Sequence, residues 1–211
     1  MTEAVFAYEF EEDVPSNKKE LLAKLVGATV AELVRYSWWP AAESAKECNI
    51  PNGSVFSLTA GPLLLTLQSG LAVSVFSIPQ LISVVVTVER DESGRIVDDN
   101  PVTGDDELYP VSATDSVYSS DDFGRFVGKR IASIHLLQRA AEEPGWSYRP
   151  REVGVVLAFD GGGELILAHG LHDDSDDFSV ITRSQIDPRL IGKLREIPLP
   201  DVIPWRIGKP K

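Results

Sequence analysis

Leu25-Val26-Gly27-Ala28-Thr29-Val30-Ala31-Glu32-Leu33 returns later in the chain as Phe126-Val127-Gly128-Lys129-Arg130-Ile131-Ala132-Ser133-Ile134. The glycine, the alanines at 31 and 132 and the apolar positions stay in step. The correspondence continues downstream. Leu65, Leu67, Gly70, Val73 and Val75 fall on Leu157, Phe159, Gly162, Leu165 and Leu167, and Ile82-Ser83-Val84-Val85 falls on Phe178-Ser179-Val180-Ile181. A period of roughly a hundred residues is long enough for each copy to be a small folding unit.

Each copy opens alike. Lys18 to Val26 has helical character, with capping-box spacing between Asn17 and Glu20 and a left-handed stop at Gly27. Asp121 and Asp122 suit the start of a second helix that stops at Gly128, with Arg125, Lys129 and Arg130 near its end. After each glycine the side chains alternate with period two, as a strand with one covered face requires. Hairpins follow: Leu63–Leu67 and Leu71–Phe76 about Gln68-Ser69-Gly70, then Val153–Phe159 and Glu164–Ala168 about Asp160-Gly161-Gly162-Gly163. A last strand is expected at Leu81–Val88 and at Phe178–Thr182, where β-branched residues favour strand.

The expected fold class is therefore α+β and mostly β: two tandem repeats, each a short helix and an antiparallel β-meander of about four strands, packed pseudo-symmetrically. Residues 1–90 form the first module, 91–117 an acidic linker expected to be solvated, and 118–211 the second module with an extended, proline-rich tail that Trp205 could pin down. Ala4–Phe10 alternates as a further edge strand would. Residues 48–88 contain no Asp, Glu, Lys or Arg. Pro62, Gln68-Ser69-Gly70 and Pro79-Gln80 interrupt that run before it reaches the ~20 apolar residues a bilayer helix needs, so buried strands explain it. They are expected to be covered by the second half or by a second copy of the chain, which leaves monomer and homodimer both open.

With 32 acidic against 20 basic side chains, the 211-residue chain carries a formal charge of −12. That charge repels phosphate backbones, excludes broad nucleic-acid binding and favours a basic partner. Cys48 stands alone, so no internal disulfide forms, and the N-terminus lacks the basic start and apolar core of a secretory signal. A cytoplasmic protein with no membrane association is the expectation.

Chemistry-bearing patterns are sparse. His169-Gly170-Leu171-His172-Asp173-Asp174-Ser175-Asp176-Asp177 gathers imidazoles and carboxylates, but neither EF-hand register nor HExxH spacing is present. It reads first as a solvated acidic loop, and alternatively as a metal-binding site or metal-dependent enzyme using His169, His172 and Asp173. Cys48 lacks a histidine nearby in sequence, no Gly-x-Ser-x-Gly elbow occurs, and Asp160–Glu164 lacks the lysine of a phosphate loop. No catalytic residue and no cofactor is assigned, and the chain is read as non-enzymatic. Trp38-Trp39-Pro40 follows a strand. Either the 37–53 loop folds over and buries both indoles, which is the reading favoured, or an exposed one anchors a partner.

Val127-Gly128-Lys129-Arg130-Ile131, followed by Val155-Val156-Leu157-Ala158-Phe159 and Gly163-Glu164-Leu165-Ile166-Leu167, resembles small bacterial immunity proteins that neutralise polymorphic toxins. The resemblance implies a cytoplasmic inhibitor of a toxin domain and assigns no individual binding residue. The surface residues expected to meet a basic partner are Trp38, Trp39, Asp98, Asp99, Asp105, Asp106, Glu107, Asp173, Asp174, Asp176 and Asp177. A structural subunit of a larger assembly, joined through the uncharged first-half strands, is a further alternative.

Overall fold

A computed structural model describes residues 11–140, 149–173 and 177–206. The expected strand at Ala4–Phe10 lies outside the described residues. The fold is α+β and mostly β, with two antiparallel five-stranded sheets and few, short helices.

The first sheet runs β4-β3-β2-β1-β5, from β1 (Val30–Ser37), β2 (Leu63–Leu67), β3 (Ala72–Ile78), β4 (Ser83–Arg90) and β5 (Tyr109–Ser112). The second runs β10-β6-β7-β8-β9, from β6 (Ile131–Arg139), β7 (Glu152–Phe159), β8 (Glu164–His169), β9 (Phe178–Ile181) and β10 (Leu194–Pro198). Each is a four-strand meander whose first strand gains a later strand on its free edge. That fifth strand goes beyond the four expected. In the first sheet it comes from the acidic segment, which corrects the reading of 91–117 as a solvated linker: β5 pairs with β1, and Val111 and Ala113 are buried in the core.

Within the ladders, Val30 faces Leu67 and Leu33 faces Leu65, while Ile131 faces Phe159 and Ile134 faces Leu157. Both first strands shift register across one residue, at Ala31 and at Ala132. The fourth-strand alignment read from sequence is corrected by two residues. Val75 pairs with Val86 and Leu167 with Val180, so Val86, not Val84, stands where Val180 stands. A shift of two keeps every side chain on its expected face, because the strand period is two.

Side chains of both sheets merge in one core, with Leu33, Leu65 and Val86 from one side and Ile134, Leu157 and Val180 from the other. The uncharged strands of the first half are thus covered by the second half. Each large aliphatic side chain so buried contributes about 1.5–3 kcal/mol. The outer faces are covered too. Val102 and Leu108 lie over Val34, Tyr36, Leu64 and Ala72 of the first sheet, and Leu171, Ile186 and Leu190 lie over Val156, Ile166 and Ile181 of the second.

The helices are shorter than their sequence signals. Lys19–Leu25 lacks a side-chain cap, and Asn17, expected to cap it, instead donates its amide to the Trp205 carbonyl at 2.9 Å. Trp205 N donates to Ser16 Oγ at 3.0 Å, and Ser16 N donates to the buried carboxylate of Glu152 at 3.0 Å. Trp205 also packs against the buried cluster of Val14, Ile78, Leu81 and Val85, so the tail is pinned at Trp205. No helix among the described residues is long and apolar enough to cross a membrane.

Candidate binding surface

At the end of β1 the chain turns sharply outward. Gly61 sits at φ +114, and a Cβ there would lie 2.5 Å from the Tyr36 carbonyl oxygen, so only glycine lets the two backbones approach this closely. Beside it, the hydroxyls of Ser37, Ser44 and Thr59 form a buried triangle with edges of 3.0, 2.7 and 2.8 Å. Trp39 N donates to Ser37 Oγ at 3.3 Å. The triangle fastens helix Ala41–Glu47 below the turn and leaves the indoles outside. Trp38 is 51% exposed and Trp39 42% exposed, which corrects the expectation that the 37–53 loop buries both.

The acidic segment lies across the outer face of the first sheet. Its apolar residues Val102 and Leu108 point to the sheet, and its acids point away: Asp99, Asp105, Asp106 and Glu107 are exposed and Asp98 half-buried. Two local turns shape it, with Asn100 N donating to Asp98 Oδ1 and Glu107 N to Asp105 Oδ1, both at 2.9 Å. The fastening is Glu89, fully buried on β4, whose Oε1 accepts from Thr103 N and Thr103 Oγ1, each at 2.6 Å. Glu89 is the first charge after the uncharged run, and its place within an apolar strand was the available signal.

The two histidines of the acidic loop reach different partners. His169 ends β8 and is buried, with Nδ1 2.5 Å from Ser77 Oγ, whereas His172 Nδ1 lies 3.2 Å from the Gln185 carbonyl oxygen. Among the described residues no three His, Cys, Asp or Glu side chains are placed to share a metal ion. Asp174 and Asp176 lie outside the described residues. Asp173 and Asp177 are exposed and border a depression that also contains Cys48 and His172.

Asp177 also borders a second, more apolar groove, formed by Trp38, Pro62, Phe76, Leu108 and Phe178, with Asn100 and Val102 on its acidic-segment side. The structure thus brings Trp38, the 98–108 segment and Asp177 to one end of the first sheet. Beneath lies Arg35, an unforeseen element of the site. It is fully buried on β1, its guanidinium 4.2 Å from the centre of the Phe178 ring. Nη2 donates to the Phe178 carbonyl at 2.7 Å and also to that of Thr59, while Nη1 has no hydrogen-bond partner among the described residues. Burial lowers its pKa to about 9, opposed by the negative charge of Asp177. Arg35 ties the first sheet to the start of β9 and so fixes one wall of the groove. Its parity with inward-facing Leu33 was the signal in the sequence.

Charge pairing divides the surface. On the cover of the second sheet, Asp187 Oδ1 accepts from Arg189 N at 2.8 Å and its carboxylate pairs with the Arg189 guanidinium. Arg183 reaches Glu164 at 2.6 Å and also pairs with Glu196. Among the described residues, Asp98, Asp99, Asp105, Asp106 and Glu107 have no ion-pair partner.

Compared with protein-family models, curated proteins and solved structures, the chain matches none of them.

Proposed function

We propose that this chain is a non-enzymatic binding protein that covers a basic protein partner with the outer face of its first sheet. The observation that carries the reading is the row of unpaired carboxylates at 98–107 beside the exposed Trp38. Unpaired acids raise the negative potential that steers a basic surface into contact, and an exposed tryptophan supplies area at small entropic cost. Covering a partner's working surface needs no catalytic group. In the form that the resemblance to immunity proteins suggests, the partner is a toxin domain and the protein acts in the cytoplasm.

The two halves are read as copies of one unit, packed about a pseudo-two-fold axis, of which the first became the binding face and the second its support. Several features favour this. Gly27 and Gly128 share φ +82. Gly27 N donates to the Ile131 carbonyl at 2.7 Å, and Gly128 N returns the bond to Val30 at 2.9 Å. The matched register shifts at Ala31 and Ala132 point the same way.

The test is co-purification with the product of the neighbouring gene, followed by titration at increasing salt. A stoichiometric complex whose affinity falls steeply with salt supports the reading. A chain that captures no neighbouring product, or whose complex is indifferent to salt, refutes it.

A further inference from the structure

We infer that the groove between Trp38 and the acidic segment is the anchor pocket of that interface, and that it takes one large apolar side chain, aliphatic or aromatic, from a partner segment whose flanking residues are lysine or arginine. The inference rests on the proposed basic partner and adds what its contacting segment must look like.

The walls of the groove are largely carbon. Pro62, Phe76, Leu108 and Phe178 line it, and Trp38 stands half-exposed at its mouth. Such a lining gives a cationic head few acceptors but suits a side chain that leaves water. Charge sits at the rim. Asp177 borders one side, and on the other the groove-lining Asn100 and Leu108 are the immediate neighbours of Asp99 and Glu107. An apolar centre ringed by like charges is the anatomy of a specific interface, where a buried anchor supplies affinity and the rim selects the partner's charge.

The groove is also prepared in advance. Arg35 holds the backbones of Thr59 and Phe178, Glu89 holds Thr103, and the hydroxyl triangle holds the turn that presents Trp38. Walls fixed before binding reduce the ordering that association must offset. A second copy of the chain is a poor occupant, because two surfaces of net charge −12 repel each other.

The probe is a hexapeptide with a leucine–phenylalanine centre flanked by arginine pairs, titrated into the isotopically labelled full chain while the Trp38 indole N–H signal is followed by NMR. Its controls replace the centre with two alanines or the arginines with glutamates. The expected result is that the anchored basic peptide moves the Trp38 signal and binds about tenfold or more tightly than the alanine peptide, as burial of one large apolar side chain implies. The glutamate peptide should not bind. Trp38→Ala, an exposed position whose loss leaves the fold intact, should reduce that preference to about twofold or less, with binding followed through backbone amides. Equal binding of both arginine peptides overturns the anchor pocket and leaves the basic-partner reading standing. Equal binding of the glutamate peptide overturns the basic partner itself. No shift with any peptide overturns the pocket, as does a chain shortened by residues 207–211 whose groove signals change without ligand, since the occupant is then the chain's own basic end.

Discussion

The two outer faces of this molecule solve the same problem differently. Each sheet is covered by the segment that follows its fourth strand, and each covering segment then returns as the fifth. Over the second sheet the cover brings Ile186 and Leu190, both buried, and its Arg183 and Arg189 pair with Glu164, Glu196 and Asp187. Over the first sheet the cover brings only the partly buried Val102 and Leu108, is fastened by Glu89, and leaves its acids unmatched. A surface built only for stability does not leave like charges unpaired, because their mutual repulsion costs free energy on folding. The contrast is the one expected of the proposed arrangement, with the binding face on the first sheet and its support on the second.

The largest effects should separate the two covers by stability. Leu190→Ala removes a fully buried side chain from the second cover and is expected to cost about 2–5 kcal/mol. Val102→Ala, in a half-buried position of the first cover, should cost about 1 kcal/mol. Urea denaturation of the two variants measures the difference, and equal losses would show that the two covers are held alike. Glu89→Ala is expected to fall between them, at about 2–3 kcal/mol for two hydrogen bonds to a buried carboxylate. Its signature is local: hydrogen exchange should accelerate across 98–108 and stay unchanged across 183–191.

Much of this arrangement is legible in the amino-acid sequence itself. The repeated glycine-to-strand passage locates β1 and β6, and period-two alternation with turn glycines locates both hairpins. What escapes such a reading has identifiable physical causes. The fourth strand slips by two because a run such as Val84-Val85-Val86 offers equivalent positions at every second residue, leaving only the ladder to select the register. β5 and β10 escape because Tyr109-Pro110-Val111-Ser112 and Leu194-Arg195-Glu196-Ile197-Pro198 are short edge strands with proline, whose pairing is decided by a tertiary neighbour and not by local pattern. Of the site, the acids and both tryptophans can be named from sequence. Arg35 needs the strand parity that turns it inward, and Glu89, opposite in parity to the core-facing Val86 and Val88, is buried by the covering segment, so neither stands out from surface charge by local pattern.

Acid separates the carboxyl groups of the second half, because their affinities for a proton are shifted in opposite senses. Burial raises the Glu152 carboxyl above its ordinary value of 4.5, against the hydrogen bonds from Ser16 that favour its charged form. The folded state therefore binds this proton more tightly than the unfolded state. The associated stabilisation is full below about pH 4.5 and is lost as pH rises through the folded value. Asp187 is shifted the other way, held below its ordinary range by Arg189. Burial alone would raise Glu196, but the hydrogen bonds from Arg183 and His135 hold it below. For those two the stabilisation is present above the ordinary carboxylate range and is lost as pH falls through the lowered values. Glu152→Gln should thus flatten the decline in stability above pH 4.5, while Asp187→Asn should lower stability near neutral pH, with the deficit shrinking as pH falls below the ordinary carboxylate range. Denaturation midpoints from pH 3 to 7 read both, and identical profiles for the two variants would contradict the assignment.

The smallest effect on stability should come from the residues given the most functional weight. Converting Asp98, Asp99, Asp105, Asp106 and Glu107 to their amides brings the formal charge from −12 to −7. Asp98 and Asp105 accept their turn hydrogen bonds through a side-chain oxygen that asparagine retains, and no arginine or lysine among the described residues loses an ion-pair partner. Stability should move by no more than about 0.5 kcal/mol, and upward at low salt as repulsion is relieved. The same substitutions made on the second sheet and its cover, at Glu164, Glu196 and Asp187, remove carboxylates that pair with Arg183 and Arg189 and should destabilise. If the first set lowered stability as much as the second, the acids at 98–107 would be structural after all. The asymmetry between the faces would then be one of sequence and not of purpose.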